Sequence, residues 1–97
     1  MKKNLIIIGY SGHSYGIIEA LLENNYEING YCDIEKKDFN PFNLKYLGKE
    51  RDKNFLRMIK SNSFFISIGL NKKRQEIAKY ILKNNGSIIN AINSRSS

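Results

Sequence analysis

The sequence predicts an α/β fold: a small doubly wound, Rossmann-like parallel sheet built from βαβ units in a single domain. Three observations predict it. A wholly apolar run, Leu5 to Ile8, lies between Lys and Gly near the amino terminus, the composition of a strand buried on both faces. Strand-like runs then alternate with stretches whose apolar residues recur at helical spacing. Finally, three of the strand-like runs close on Gly9, Asp33 and Gly69 before helical or loop sequence begins, as strands do where they turn into a crossover.

Each element follows from its own pattern. Lys3 to Ile8 forms the first strand. From Gly12 onward Ile17, Ile18, Leu21 and Leu22 make one helical stripe that ends at Asn24-Asn25. "YEINGYCD" (26–33) reads as a second strand, with Gly30 as a point of close backbone approach. "IEKKDFNPFN" (34–43) is a loop because Pro41 and several polar residues fill it, and "LKYLG" (44–48) reads as a short edge strand. "KERDKNFLRMIKSN" (49–62) carries Phe55, Leu56 and Ile59 on one side of a helix. "SFFISIG" (63–69) packs aromatic and β-branched residues together and is a strand. "NKKRQEIAKYILKNNG" (71–86) is a helix with Asn71 as N-cap, Ile77, Ala78, Ile81 and Leu82 as buried stripe, and Gly86 as stop. "SIINAI" (87–92) is the last strand, and "NSRSS" trails off as a polar tail, giving a domain over 1–92 and a tail over 93–97.

Composition narrows the class. A chain of 97 residues buries roughly 60 to 68 % of its unfolded surface, enough for a core without disulfides or metals. The solitary Cys32 cannot form an intramolecular disulfide and is expected to pack as a small hydrophobe. A metal site of His13, Cys32 and Asp33 has no recognised ligand spacing, so no metal is expected. The apolar run after Met1-Lys2-Lys3 is too short for a secretory leader, and nothing approaches the roughly 18 apolar residues of a membrane span. A cytoplasmic domain is expected. The net charge of +7 is spread over short groups such as Lys36-Lys37 and Lys72-Lys73-Arg74. With no nucleic-acid motif attached, it reads as solvated surface rather than a nucleic-acid footprint.

The chemistry concentrates at the strand ends. The loop "GYSGHSYG" (9–16) joins the first strand to the first helix, where amide N–H groups and the positive end of a helix dipole favour an anion. Gly9 and Gly12 permit a tight turn and close ligand approach. The dinucleotide fingerprint G-x-G-x-x-G is not met, since Ser11 and Ser14 stand where glycines would be, and no phosphate-loop lysine follows. The alternative is a Gly-rich turn that merely joins strand to helix. His13 is placed to donate to a phosphate or sugar hydroxyl, or else serves structure. Asp33 occupies the place of the acid that binds ribose hydroxyls in such folds, or is a solvated loop acid. Gly69 allows close approach, while Asn71 and Arg74, three apart, share a helix face suited to phosphate or carboxylate. A cap and a solvated cation remain the plainer reading of that pair.

Taken in order, "LIIIGYSGHSYGIIEALLENNYEINGYCD", "YLG" and "FFISIGLNKKRQEIAKYILKNNGSIINAIN" resemble the N-terminal domain of bacterial sugar O-/N-acyltransferases of the PglD/NeuD type. The resemblance implies a Rossmann-like domain that binds a nucleotide-linked amino sugar, typically a UDP-sugar, in bacterial surface glycan synthesis. It implies that Gly9, Ser11, Gly12 and His13 line the sugar-nucleotide loop, that Asp33 faces the uridine, and that Gly69, Asn71 and Arg74 complete the pocket. In such proteins a following left-handed β-helix trimerises, binds acetyl-CoA and carries the catalytic His. No hexapeptide repeats occur in these 97 residues, so the chain is expected to hold no catalytic residue and no cofactor, and to be a monomer or weak dimer by itself. Ser14 departs from the glycine that follows His in the family. The competing readings are a non-catalytic NAD(P)-binding or nucleotide-sensing module, against which Ser11 argues, and a basic nucleic-acid-binding module.

Overall fold

The computed structural model describes residues 3–49 and 53–89. It is an α/β domain with a four-stranded sheet of order β2-β1-β3-β4 in which every adjacent pair runs parallel. The strands are β1 (Lys3–Ile8), β2 (Tyr26–Cys32), β3 (Ser63–Ile66) and β4 (Ser87–Ile88). Between them lie α1 (Tyr15–Glu23), α2 (Lys53–Ser61) and α3 (Asn71–Lys83), with a 3₁₀ turn over Gly12–Ser14 leading into α1.

The apolar run of β1 is buried on both faces, as its composition requires. Ile6 and Ile8 pack with Phe64, Ile66, Phe55 and Ile59 of α2, and Ile77 and Ile81 of α3. Leu5 and Ile7 face the other way, onto Tyr31, Phe65, and Ile18 and Leu21 of α1. The single helix on one face and the pair on the other are what right-handed crossovers produce when strand order turns back at β1. Each of these side chains, fully buried, contributes about 1.5–3 kcal/mol. Cys32 lies in the first of these cores as expected.

Several boundaries differ from the sequence reading. In each helix the second of two adjacent apolar residues turns out to be exposed: Leu22 beside Leu21, Leu56 beside Phe55, Leu82 beside Ile81. A step of 100° around the helix carries the second member off a face that contacts the sheet along a narrow stripe. Asn71 is not the cap of α3. The Arg74 N–H donates to Leu70 O at 3.0 Å, so Leu70, in extended conformation, is the N-cap and Asn71 is the first helical residue. Segment 44–48 is not a strand. It makes one parallel bridge, Tyr31 to Tyr46, with backbone hydrogen bonds along the edge of β2 that engage Lys45 O, Leu47 N–H and Gly48 O, and Asn40 draws the backbone of Leu44 away from it. Gly30 is the close approach expected: a Cβ there would lie 2.5 Å from the Lys45 carbonyl.

Helix α3 ends through Asn85, not through a left-handed Gly86. Asn85 takes φ +66°, its N–H bonds Leu82 O, and the Gly86 N–H bonds Ile81 O at 2.8 Å, a Schellman arrangement. Gly86 is needed for space, since a Cβ would meet Ile81 and Ile59. β4 spans Ser87–Ile88. The strand expected over 90–92, the tail over 93–97 and the domain boundary between them lie outside the described residues.

Candidate functional site

Strand order reverses between β1 and β3, and the crevice beyond their carboxyl ends is where ligands of such sheets bind. Two loops form it. One runs from Gly9 to Ser14 after β1, and the other from Ser67 to Leu70 after β3.

The first loop is shaped by its own hydrogen bonds. Gly9 has φ +88°, and a Cβ on it would lie 2.9 Å from the Ser67 carbonyl oxygen. Its conformation and its close approach both demand glycine. Its N–H donates to Cys32 O, and that of Tyr10 donates to the Asp33 carboxylate at 3.0 Å. The Ser11 N–H reaches Ser14 Oγ at 3.1 Å. Ser14 Oγ in turn donates to Ser11 O at 2.6 Å. The buried Ser14 is therefore a clamp across the turn, which is what stands in place of the missing glycine. The Ser14 N–H goes to Ser11 O. What remains are the N–H groups of Gly12 and His13, which meet no acceptor among the described residues and open the helix at the positive end of its dipole. A Cβ added at Gly12 would touch nothing, so the space outside these two donors is clear.

His13 ties the two loops together. Its Nε2 is 2.9 Å from Ser67 O; a carbonyl only accepts, so Nε2 carries the proton. Nδ1, 3.0 Å from Ser11 Oγ, accepts the serine hydroxyl proton in the neutral ring. The imidazole thus spans the crevice from β1 to β3 while remaining exposed to solvent.

The Asp33 carboxylate is engaged within the fold. It accepts from Tyr10 N–H and from Ile34 N–H at 2.7 Å, with Lys37 Nζ at 3.6 Å. It pins the loop after β1 to the end of β2. Tyr10, which sequence reasoning passed over, is the buried centre of this corner. Its hydroxyl donates to Asn40 Oδ1 at 2.7 Å and accepts from the Phe42 N–H at 3.0 Å, and its ring packs on Tyr15 and Tyr31. Burial raises the Tyr10 phenol above the usual tyrosine value. No pattern in the sequence marks Tyr10 apart from its position next to Gly9.

On the β3 side, Gly69 is exposed and a Cβ there would meet nothing. Asn71 and Arg74 share a face, as their spacing implied, with Arg74 Nη2 donating to Asn71 Oδ1 at 3.1 Å. Lys72, Lys73 and Arg74 crowd the first two turns of α3, whose first turn holds no acid. Cations there oppose the helix dipole, at about 0.3–1 kcal/mol each, a placement that an anionic ligand would offset. Of the candidates, the structure gathers Gly9, Ser11, Gly12 and His13 at the crevice, where they meet Ser67, which the sequence did not mark. Asp33 supports its floor from β2, and Gly69, Asn71 and Arg74 border it on the far side. Among the described residues no group of His, Cys, Asp and Glu is placed to hold a metal ion, and no helix is long and apolar enough to cross a membrane.

A doubly wound domain with a donor-lined crevice at its switch point has the Rossmann-like α/β architecture. More specifically, the model of the PglD N-terminal domain family matches residues 4–81, and the chain belongs to that family. Its fold is similar to a solved structure of a mutant of perosamine N-acetyltransferase from Caulobacter crescentus, in complex with CoA and GDP-perosamine. The two share 25% identity at a TM-score of 0.75, over 92% of this chain. The chain spans 42% of that protein's length. No match was found among curated proteins.

Proposed function

We infer that this domain binds a nucleotide-linked amino sugar and presents it for acyl transfer by a separate part of the protein. The observation that carries the reading is the pair of open N–H donors at Gly12 and His13, set at the β1–β3 switch point, the end of the sheet at which α3 also begins with Lys72, Lys73 and Arg74 in its first two turns. Such a crevice suits a diphosphate: two anionic groups meet backbone donors on one side and Arg74 on the other. Family membership and the GDP-perosamine bound by the similar acetyltransferase support a sugar nucleotide over other phosphorylated ligands.

The domain's contribution is positional. Holding the nucleotide end fixes where the sugar amine or hydroxyl meets the thioester, converting an encounter into an oriented step. The acyl donor, acetyl-CoA by the same resemblance, and the catalytic base are assigned to no residue of this chain. A place in bacterial surface glycan synthesis, in the cytoplasm, completes the reading.

Isothermal calorimetry with UDP, GDP and NAD tests it. Binding of UDP or GDP in preference to NAD is expected, and which of the two binds assigns the base. NAD binding without either diphosphate would replace this reading by a dinucleotide module. Binding to none of the three would refute nucleotide recognition by this domain.

A further inference from the structure

Ser67 lies at the end of β3, 93 % buried, and among the described residues its Oγ is the buried side-chain polar atom that has no hydrogen-bond partner. The strand register continues to it, since the Ser67 N–H donates to Ile8 O at 2.7 Å. Alternation along the strand therefore places its side chain on the same face as Phe65, and Phe65 packs with Ile18 of α1 and with Tyr10. The hydroxyl thus points to the side of the sheet on which the Gly9–Ser14 turn begins α1. The Ser67 carbonyl is held by His13 Nε2, and Gly9 packs against the same peptide. A buried hydroxyl left without a partner is costly, and a binding site is one of the few places where such a group is retained.

We propose that Ser67 is a ligand-binding residue, its hydroxyl donating to an oxygen of the ligand's diphosphate together with the Gly12 and His13 N–H groups. The inference rests on the sugar-nucleotide reading and adds a contact to it from the β3 side of the crevice. His13, exposed and bonded to Ser67 O at 2.9 Å, borders the Ser67 peptide from the solvent side. Three donors and no acid on this side of the crevice select an anionic oxygen over a sugar hydroxyl that must also donate.

Two measurements on the 97-residue chain test this. Ser67→Ala is compared with the parent in calorimetric titrations of UDP and GDP, alongside melting temperatures without ligand. Loss of one hydrogen bond to a charged oxygen predicts a fall in affinity of about tenfold or more. Without ligand, the melting temperature should be unchanged or higher, because the variant removes an unsatisfied group. A merely structural serine would give the reverse pattern, a lower melting temperature and unchanged affinity, and would overturn the proposal. Amide NMR of the parent chain titrated with inorganic pyrophosphate supplies the second test and needs no variant. Joint shifts at Gly12, His13 and Ser67 are expected. A response at Gly12 and His13 with Ser67 silent would overturn the proposal, as would no response at all three. If pyrophosphate shifts all three while UDP and GDP fail to bind, the nucleotide reading falls and the Ser67 assignment stands.

Discussion

At the scale of single residues, the site is held by backbone geometry as much as by side chains. Gly9 combines φ +88° with a Cβ position 2.9 Å from Ser67 O, so Gly9→Ala is expected to destabilise the chain by about 1–3 kcal/mol. For a domain of this size that lowers the melting temperature by roughly 4–24 °C, read by circular dichroism. Asp33→Ala strips the acceptor from Tyr10 N–H in a half-buried corner and should cost about 1–3 kcal/mol. The sequence reads Asp33 as a ribose-binding or a solvated acid; the structure adds a strut, and chemical denaturation of the variant reads that contribution. Tyr10 gives a pH signature. Its folded pKa is raised above 10.0 by burial, so the neutral phenol favours the folded state. That stability is fully present below pH 10.0 and is lost as pH rises through the raised value. Tyr10→Phe should therefore lower stability near neutrality by about 0.5–2 kcal/mol, through its two lost hydrogen bonds. The same variant should flatten the alkaline fall, as melting curves between pH 8 and about 11.5 would show.

At the scale of elements, most of the fold was legible because strands buried on both faces and helices packed on one face leave different periodicities. β1 was readable to its ends: no polar residue interrupts Leu5 to Ile8. The sequence misled where one residue's neighbours in space decide its state. Leu22, Leu56 and Leu82 are as apolar as their buried neighbours, and only the width of the contact with the sheet separates them. Asn71 has the composition of a cap, yet Leu70 takes that role because its carbonyl receives the first helical bond. Within the site, the glycines and the Asn71–Arg74 pair were visible from spacing, while Tyr10 and Ser67 acquire meaning only from contacts made across the sheet. The helix ends carry a prediction of their own. α1 and α3 both finish on Asn-Asn, with Asn25 and Asn85 each at φ +66°. Glycine enters that region without the steric cost that asparagine retains, so Asn25→Gly and Asn85→Gly should each stabilise by a few tenths to about 1 kcal/mol. Urea midpoints that fall for both variants would show that the asparagine side chains, not their backbone conformation, hold these ends.

At the scale of the whole molecule, sheet order separates two candidate places for a small ligand. The switch point lies at the carboxyl ends of β1 and β3. A polar cavity of about 320 Å³, lined by Asn4, Lys60, Asn62, Ser63, Asn85 and Ser87, opens at the opposite end of the same strands. Among the described residues this cavity carries no open helix N-terminus, and two of its polar side chains are already engaged, Ser63 with Ser87 and Asn62 with Asn29. The open N–H donors of Gly12 and His13 sit at the switch point. A net charge of +7 complicates any binding assay, because polyanions are attracted to the surface without entering a site. Salt separates the two cases. Non-specific binding of duplex DNA should fall steeply as salt rises. A diphosphate held by directed N–H donors and Arg74 should keep much of its affinity above 0.15 M, where the Debye length is about 8 Å. At a hundredfold excess over Kd the nucleotide should stabilise the fold by about 2.7 kcal/mol, or roughly 10–20 °C in melting temperature for a domain of this length. Amide shifts should gather at Gly12, His13 and the start of α3 and spare Asn4, Asn62 and Ser63. Shifts confined to those last three would move the ligand to the other end of the sheet and leave the switch point a structural junction.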